Sequence, residues 1–222
     1  LQVPVIFDEV VCGFRLARGG SREWSGTQPH MSCFGKITSG LGIPLSMVAG
    51  EAEWVDTART DGLFRDYGGG KVWISSTLAG NFLAVVAAKA QLDHLDEHYD
   101  EIMGRIDSNV AQLRQRIEDY SQRSGIPLSV QGHARTQLQL AFAKSNPAEH
   151  TYRGMMASSN PAQFMMLMAM TVYLRLHGVY VKTIPSLNLS AGHTEQDVSE
   201  LARRIQRTIE HMARDGLLSE LT

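Results

Sequence analysis

Cysteine is scarce in this chain, with 2 in 222 residues. Cys12 and Cys33 cannot build a disulfide framework or a four-thiolate zinc site, and they fit a reducing compartment such as the cytoplasm. An excess of one charge is also missing. The 21 basic and 23 acidic residues leave a formal charge of -2, so nothing advertises nucleic acid or an anionic membrane as a partner. No apolar run approaches the roughly 18 residues of a membrane span. No G-x-G-x-x-G occurs, which removes support for a nicotinamide site. Gly35-Lys36 is not a Walker-type loop, because His30 occupies the first glycine position and Ile37 replaces Ser or Thr. What remains is ordinary globular composition, 43% hydrophobic and 20% charged, which excludes a disordered or fibrous chain. The length allows one to two domains.

The chain opens with Leu1 inside a strand-like run, and the expectation is that it begins mid-domain, with any targeting segment upstream. Residues 3–7, VPVIF, read as a strand buried on both faces and ended by Asp8-Glu9. Gly13, Gly19, Gly20 and Gly26 mark a connecting segment. Residues 31–34 form a second strand, leading to Gly35-Lys36, and residues 45–49 a third. A short helix over 51–58 and an irregular stretch over 60–76 follow. Residues 81–95 are apolar almost all round and predict a well-buried helix. Ile102, Ile106, Val110, Leu113, Ile117 and Tyr120 recur at helical steps until Gly125 stops them. Two strands are expected around Gly132, a polar loop over 144–154, a Met-rich helix over 162–177 and a strand over 179–181. A final helix starts at Thr194, with Asp197 completing an approximate capping box. Strands alternating with helices make the class α/β, with a boundary near residue 96. Strands before the boundary read as part of a mostly parallel sheet, and those after it as part of a smaller α/β unit.

Asp8 and Lys36 each sit just past a predicted strand. Ligands of open α/β sheets bind outside the carboxyl ends of the strands, so an acid and an amine delivered there can act together. A lysine amine can form a Schiff base, and a carboxylate can hold a ring nitrogen protonated. The competing reading is that both are solvated residues flanking strands.

The segments FDEVVCGFRLARGG (7–20), GTQPHMSCFGKITSGLGIPLSMVAG (26–50) and WISSTLAGNF (73–82) resemble class III pyridoxal-phosphate-dependent aminotransferases, closest to the glutamate-1-semialdehyde-aminotransferase-like branch. The likeness continues more weakly through HGVYVKTIPSLNLSAGHTEQDV (177–198) and covers about the second half of a full family member. It implies a fold-type-I architecture, with residues 1–95 ending the large cofactor domain and 96–222 forming the small C-terminal domain. It implies pyridoxal 5'-phosphate as cofactor and amino transfer between a small-molecule amino donor and a carbonyl acceptor. Lys36 matches the Schiff-base lysine and proton carrier. Asp8 matches the acid paired with the pyridine nitrogen, and Val10 the aliphatic residue packed on the ring. Thr77 matches a threonine that reaches the cofactor phosphate of a neighbouring subunit, with Ser76 as a further donor, so a homodimer is implied. Two alternatives stay open: a semialdehyde aminomutase that needs no external acceptor, and a non-catalytic truncated fragment or segment of a larger synthase.

Departures from the pattern are Phe82 where many members have Pro, and His30 where Asp is usual. Lys182 stands near the place of an arginine that grips a substrate carboxylate, and an amine cannot make that bidentate fork. Arg135, beside Gly132 and His133, is the candidate replacement. The family's phosphate cup and second ring-stacking residue lie upstream of the opening strand. His94, Glu97 and His98 spell H-x-x-E-H, but their acidic surroundings favour a solvated helix end, and no metal site is expected. Met155, Met156, Met165, Met166, Met168 and Met170 read as core or interface filler, and Cys33 as a small buried hydrophobe. Cys12 lies near the proposed site without a partner that marks it as a nucleophile.

Overall fold

Among the described residues, two three-stranded sheets organise the chain, one in each of two compact units, Leu1–Tyr99 and Asp100–Thr222. The computed structural model describes residues 3–58, 72, 77–143, 161–182 and 184–219. The expected irregular stretch over 60–76, apart from residue 72, and the loop over 144–154 lie outside the described residues.

In the first unit, β1 (Ile6–Asp8), β2 (Met31–Phe34) and β3 (Met47–Gly50) lie in that order. Strand β1 pairs with β2 in parallel, Ile6 against Met31 and Asp8 against Cys33. The β1–β2 link contains α1 (Gly20–Ser25), a short helix within the stretch read as a glycine-marked connection. Strand β3 corrects the expectation of parallel strands, because it runs antiparallel to β2. Its link holds only two single turns of 3-10 helix, Lys36–Thr38 and Gly40–Gly42, and no crossover helix to carry the chain back to a parallel start. Burial of β1 on both faces is also corrected. Among the described residues it is an edge strand, with Ile6 54% exposed, and Val3 in the preceding segment is 66% exposed.

After α2 (Ala52–Val55) comes α3 (Phe82–Glu97), whose first turn is capped by the Asn81 side chain accepting the Ala84 N–H. Ala84, Ala87, Ala88 and Leu95 are buried, but Phe82 and Leu83 are 81% and 62% exposed. The helix expected to be buried all round therefore buries one face. Gly40 packs against that helix so closely that a Cβ there would run into the Ala87 carbonyl.

Helix α4 (Tyr99–Ser124) buries Ile106, Val110, Leu113, Ile117 and Tyr120 at the predicted spacing, but at its start Met103 is buried and Ile102 only half-buried. Strands β4 (Ser129–Gly132), β5 (Leu138–Ala141) and β6 (Ser186–Leu187) form an antiparallel sheet. Helices α5 (Pro161–Leu176) and α6 (Glu195–Arg214) pack on each other. Residues 179–181 are not a strand. Their backbone groups are taken by the end of α5: Val179 N–H donates to the Leu174 carbonyl, and the Arg175 guanidinium donates to the Val181 carbonyl. The free edge of β4 is covered by Arg114, which donates to the Val130 and Gly132 carbonyls.

The capping box at α6 forms as the sequence predicts. The Asp197 N–H donates to the Thr194 hydroxyl oxygen, and the Asp197 carboxylate accepts the Thr194 N–H at 2.8 Å. Those Thr194 hydrogen bonds pull the Asp197 carboxyl below its ordinary range. Thr194→Ala is expected to cost about 1 kcal/mol in urea unfolding, and Thr194→Ser to retain most of it. Because the folded carboxyl is the more acidic one, the part of the cap carried by the Asp197 carboxylate is complete at neutral pH and is lost as pH falls below the usual aspartate range, while the bond from the Asp197 N–H to the Thr194 hydroxyl stays. Thr194→Ala should therefore reduce the pH dependence of stability on the acid limb.

Candidate active site

The parallel pairing of β1 and β2 brings the two chief candidates to one end of the sheet. Asp8 ends β1 opposite Cys33, and Lys36 follows β2 after Phe34 and Gly35. Both are exposed. One oxygen of Asp8, Oδ1, accepts the Val10 N–H at 3.0 Å, which restrains the carboxylate. Val10 lies against Gly35: a Cβ built on that glycine would sit 3.4 Å from Val10 Cγ1. Asp8, Val10 and the backbone leading into Lys36 therefore form one surface.

Lys36 has φ of 54°, a left-handed conformation that a residue with a Cβ adopts at a cost of about 1–2 kcal/mol. Gly35 before it is fully extended, and the turn after it is closed by Ser39 N–H donating to the Lys36 carbonyl at 2.9 Å. The Ser39 and Thr38 hydroxyls both donate to the Leu45 carbonyl, tying the turn to the start of β3. The strain is held by this surrounding network, a pattern common where a side chain is aimed for chemistry. Phe14, also left-handed with φ of 58°, stacks on Phe34 with ring centroids 5.1 Å apart. The strained residues thus flank the same strand end.

Glu9 is the member that sequence reasoning missed. It is 1% exposed, and its carboxylate accepts the Ser21 N–H at 2.8 Å and the Ser21 hydroxyl at 2.8 Å. The Cys12 thiol donates to it at 3.6 Å. Burial, and then the nearby Glu9 charge, raise the Cys12 pKa, against a hydrogen bond from Ser21 that lowers it. Cys12 is thus held as a thiol, away from nucleophilic character. Only Gly20 signals Glu9 in the sequence, and only in hindsight: its φ is 72°, and a Cβ there would sit 2.8 Å from the Glu9 carboxylate.

Thr77 opens an exposed turn that runs into α3, and Ser76 lies outside the described residues. In the second unit, Arg135 already has a carboxylate within the chain. Its Nε lies 3.1 Å from both oxygens of Asp107, and its Nη2 is 2.7 Å from Oδ2. A substrate carboxylate would have to compete with that bidentate pair. His133 beside it has its pKa lowered, first by burial and then by the Arg135 charge. His94 and His98 place their rings 4.6 Å apart on α3 and its cap, yet the described residues contain no group of three His, Cys, Asp or Glu placed to hold a metal. Of the methionines, Met170 is fully buried and Met165 is 67% exposed, while Met155 and Met156 lie outside the described residues. Lys182 is exposed at the rim of a cavity of about 320 Å³ lined by Val181, Leu187, Asn188 and His193. No helix of the described residues is long and apolar enough to cross a membrane.

A mixed α/β chain with an acid and an amine at the end of a parallel strand pair points to part of a fold-type-I pyridoxal-phosphate aminotransferase. Solved structures share that fold. An omega-transaminase from Sphaerobacter thermophilus matches with a TM-score of 0.72 at 21% identity, over 94% of this chain and 44% of its own. A glutamate-1-semialdehyde-aminomutase from Pseudomonas aeruginosa matches with a TM-score of 0.72 at 18% identity, over 95% of this chain and 45% of its own. The sequence profile named "Aminotransferase class-III" matches residues 1–205, so the chain belongs to the class-III aminotransferases, a family that uses pyridoxal phosphate. Among curated relatives, the glutamate-1-semialdehyde 2,1-aminomutase of Thermomicrobium roseum is 28% identical over 212 residues, 95% of this chain and 45% of the relative. That of Syntrophobacter fumaroxidans is 36% identical over 124 residues, 56% of this chain and 26% of the relative. The chain spans less than half the length of these relatives.

The Arg135–Asp107 pair yields a test that needs no substrate. A double-mutant cycle of Arg135→Ala and Asp107→Ala, read by urea unfolding, is expected to show a coupling of about 1 kcal/mol, at the upper end for partly exposed pairs. A coupling near zero would mean that Asp107 does not hold Arg135 energetically.

Proposed function

We propose that this chain carries the lysine and aspartate half of a pyridoxal-phosphate site, and that the protein it serves transfers an amino group between an amino donor and a carbonyl acceptor. The observation that supports this most is the placement of Asp8, Val10 and Lys36 at one end of the β1–β2 pair. The residues fit the group. Asp8 Oδ2 would accept from a ring nitrogen, the Val10 side chain would cover one ring face, and the Lys36 amine would anchor the group. The Lys36 amine would also take and return the proton at the substrate carbon. When bound, pyridoxal phosphate supplies an electron sink for negative charge developing at that carbon. Thr77 would hold a phosphate oxygen, with Ser76 as second donor, and in this reading the phosphate belongs to a second copy of the chain. Exposed Leu78, Phe82, Leu83 and Val86 beside Thr77 support a homodimer contact. A reducing, cytoplasmic setting fits the free cysteines.

A semialdehyde aminomutase is the second reading, favoured by the names of the curated relatives and by Lys182 in place of a carboxylate-gripping arginine. It is distinguished by turnover without any added oxo acid.

Incubation with pyridoxal phosphate, borohydride reduction and peptide mapping test the half-site. Label should concentrate at Lys36 and fall sharply in Asp8→Ala. Label scattered over surface lysines, or none at all, would remove the claim that this chain organises the site. Phe82→Glu is expected to shift any dimer toward monomer in analytical ultracentrifugation, through an unpaired charge in the proposed apolar contact.

A further inference from the structure

We propose that Glu9 is a positioning residue for the half-site: its buried carboxylate sets the direction of the Asp8 carboxylate and of the Val10 side chain. The inference rests on the cofactor reading above and adds to it a residue that does not touch the cofactor.

Every polar group of Glu9 is committed. Its N–H donates to the Cys33 carbonyl of β2 at 2.8 Å, and its carbonyl accepts the Gly13 N–H at 2.9 Å. Its carboxylate accepts from the Ser21 N–H, the Ser21 hydroxyl and the Cys12 thiol. Three stretches of chain, the end of β2, the turn after β1 and the start of α1, are thus tied to one residue. That residue stands between Asp8 and Val10. The hydrogen bond that aims Asp8 comes from the Val10 N–H, the first main-chain group after Glu9. Rotation of the backbone at Glu9 therefore moves the donor that holds Asp8 Oδ1 and the side chain that rests on Gly35. A carboxylate that is 1% exposed is costly to bury, and its donors lower that cost only with all of them in place. The arrangement is stiff for that reason.

Glu9→Gln keeps the shape but turns one acceptor into an NH2 that faces donors. Ser21→Ala removes one donor and keeps the charge, so it serves if the first variant does not fold. Both are compared with the unaltered chain and with Asp8→Asn, using pyridoxal phosphate itself as probe. The readouts are the concentration giving half-maximal borohydride-trapped label at Lys36, and the pH dependence of the bound cofactor's visible absorbance. The expected result is affinity about tenfold weaker in Glu9→Gln. Its absorbance titration should shift in the same direction as in Asp8→Asn, with a smaller shift for Ser21→Ala. Weaker binding with an unmoved titration would make Glu9 merely structural and overturn the proposal, as would wild-type behaviour of both variants. Absence of Lys36 label in the unaltered chain would overturn the cofactor reading and this inference with it. Normal label there, with no effect at Glu9, would overturn the inference alone.

Discussion

The first unit depends on one buried carboxylate. Glu9 lies where β1 ends and the connection to β2 begins, and its acceptor oxygens turn a glycine-rich stretch into an ordered one. Without them, the segment around Gly19 and Gly20 would hold few contacts of its own, since α1 has only six residues and no side-chain cap. Helices of that length do not stand alone in water. The helix's own Glu23 accepts the Gly19 N–H at 2.6 Å, and Glu9 accepts the Ser21 N–H from outside, so the first turn of α1 is held from both sides.

The same constraint shapes the candidate site at the end of the parallel strand pair. Pairing alone sets Asp8 opposite Cys33 and puts Lys36 just beyond, but it leaves the side-chain directions open. Asp8 is aimed by the Val10 N–H, and Lys36 by a left-handed backbone closed through Ser39. In each case a local departure from strand geometry directs the side chain, and a hydrogen bond farther along the chain holds that departure in place. Arg135, by contrast, is directed to Asp107 inside its own unit and has no such outward aim.

Periodicity made the long helices legible. The three- and four-residue steps of α4 and the Thr194–Asp197 box of α6 are local signals that packing preserved. The acid and the lysine were legible too, because strand ends and motif spacing place them without knowledge of packing. Three features were not. Strand β3 runs antiparallel because its link forms tight 3-10 turns, which composition does not distinguish from a longer crossover. Residues 179–181 have strand-like composition, yet the Arg175 side chain and the end of α5 claim their backbone groups first. Glu9 looks like any acid after a strand, since its partners Ser21 and Cys12 are brought to it only by folding.

The remaining mismatch between pattern and burial has a single physical sense. Val3, Ile6, Phe82, Leu83 and Val86 have the composition of core residues and are exposed, all in the first unit. Hydrophobic patterning encodes the surface a chain expects to bury, and each such side chain forgoes about 1.5–3 kcal/mol while it stays in water. The second unit covers the apolar stripes of α4 and α6 within itself but leaves Phe164, Met165, Val172 and Leu176 of α5 exposed. In the first unit the surplus lies at β1, the edge of the mixed sheet among the described residues, and where α3 turns its second face outward. These are the elements that flank Asp8, Lys36 and Thr77. One of these two exposed apolar surfaces thus adjoins the candidate site, so burial of hydrophobic area and presentation of the lysine and the acid involve the same elements of the first unit.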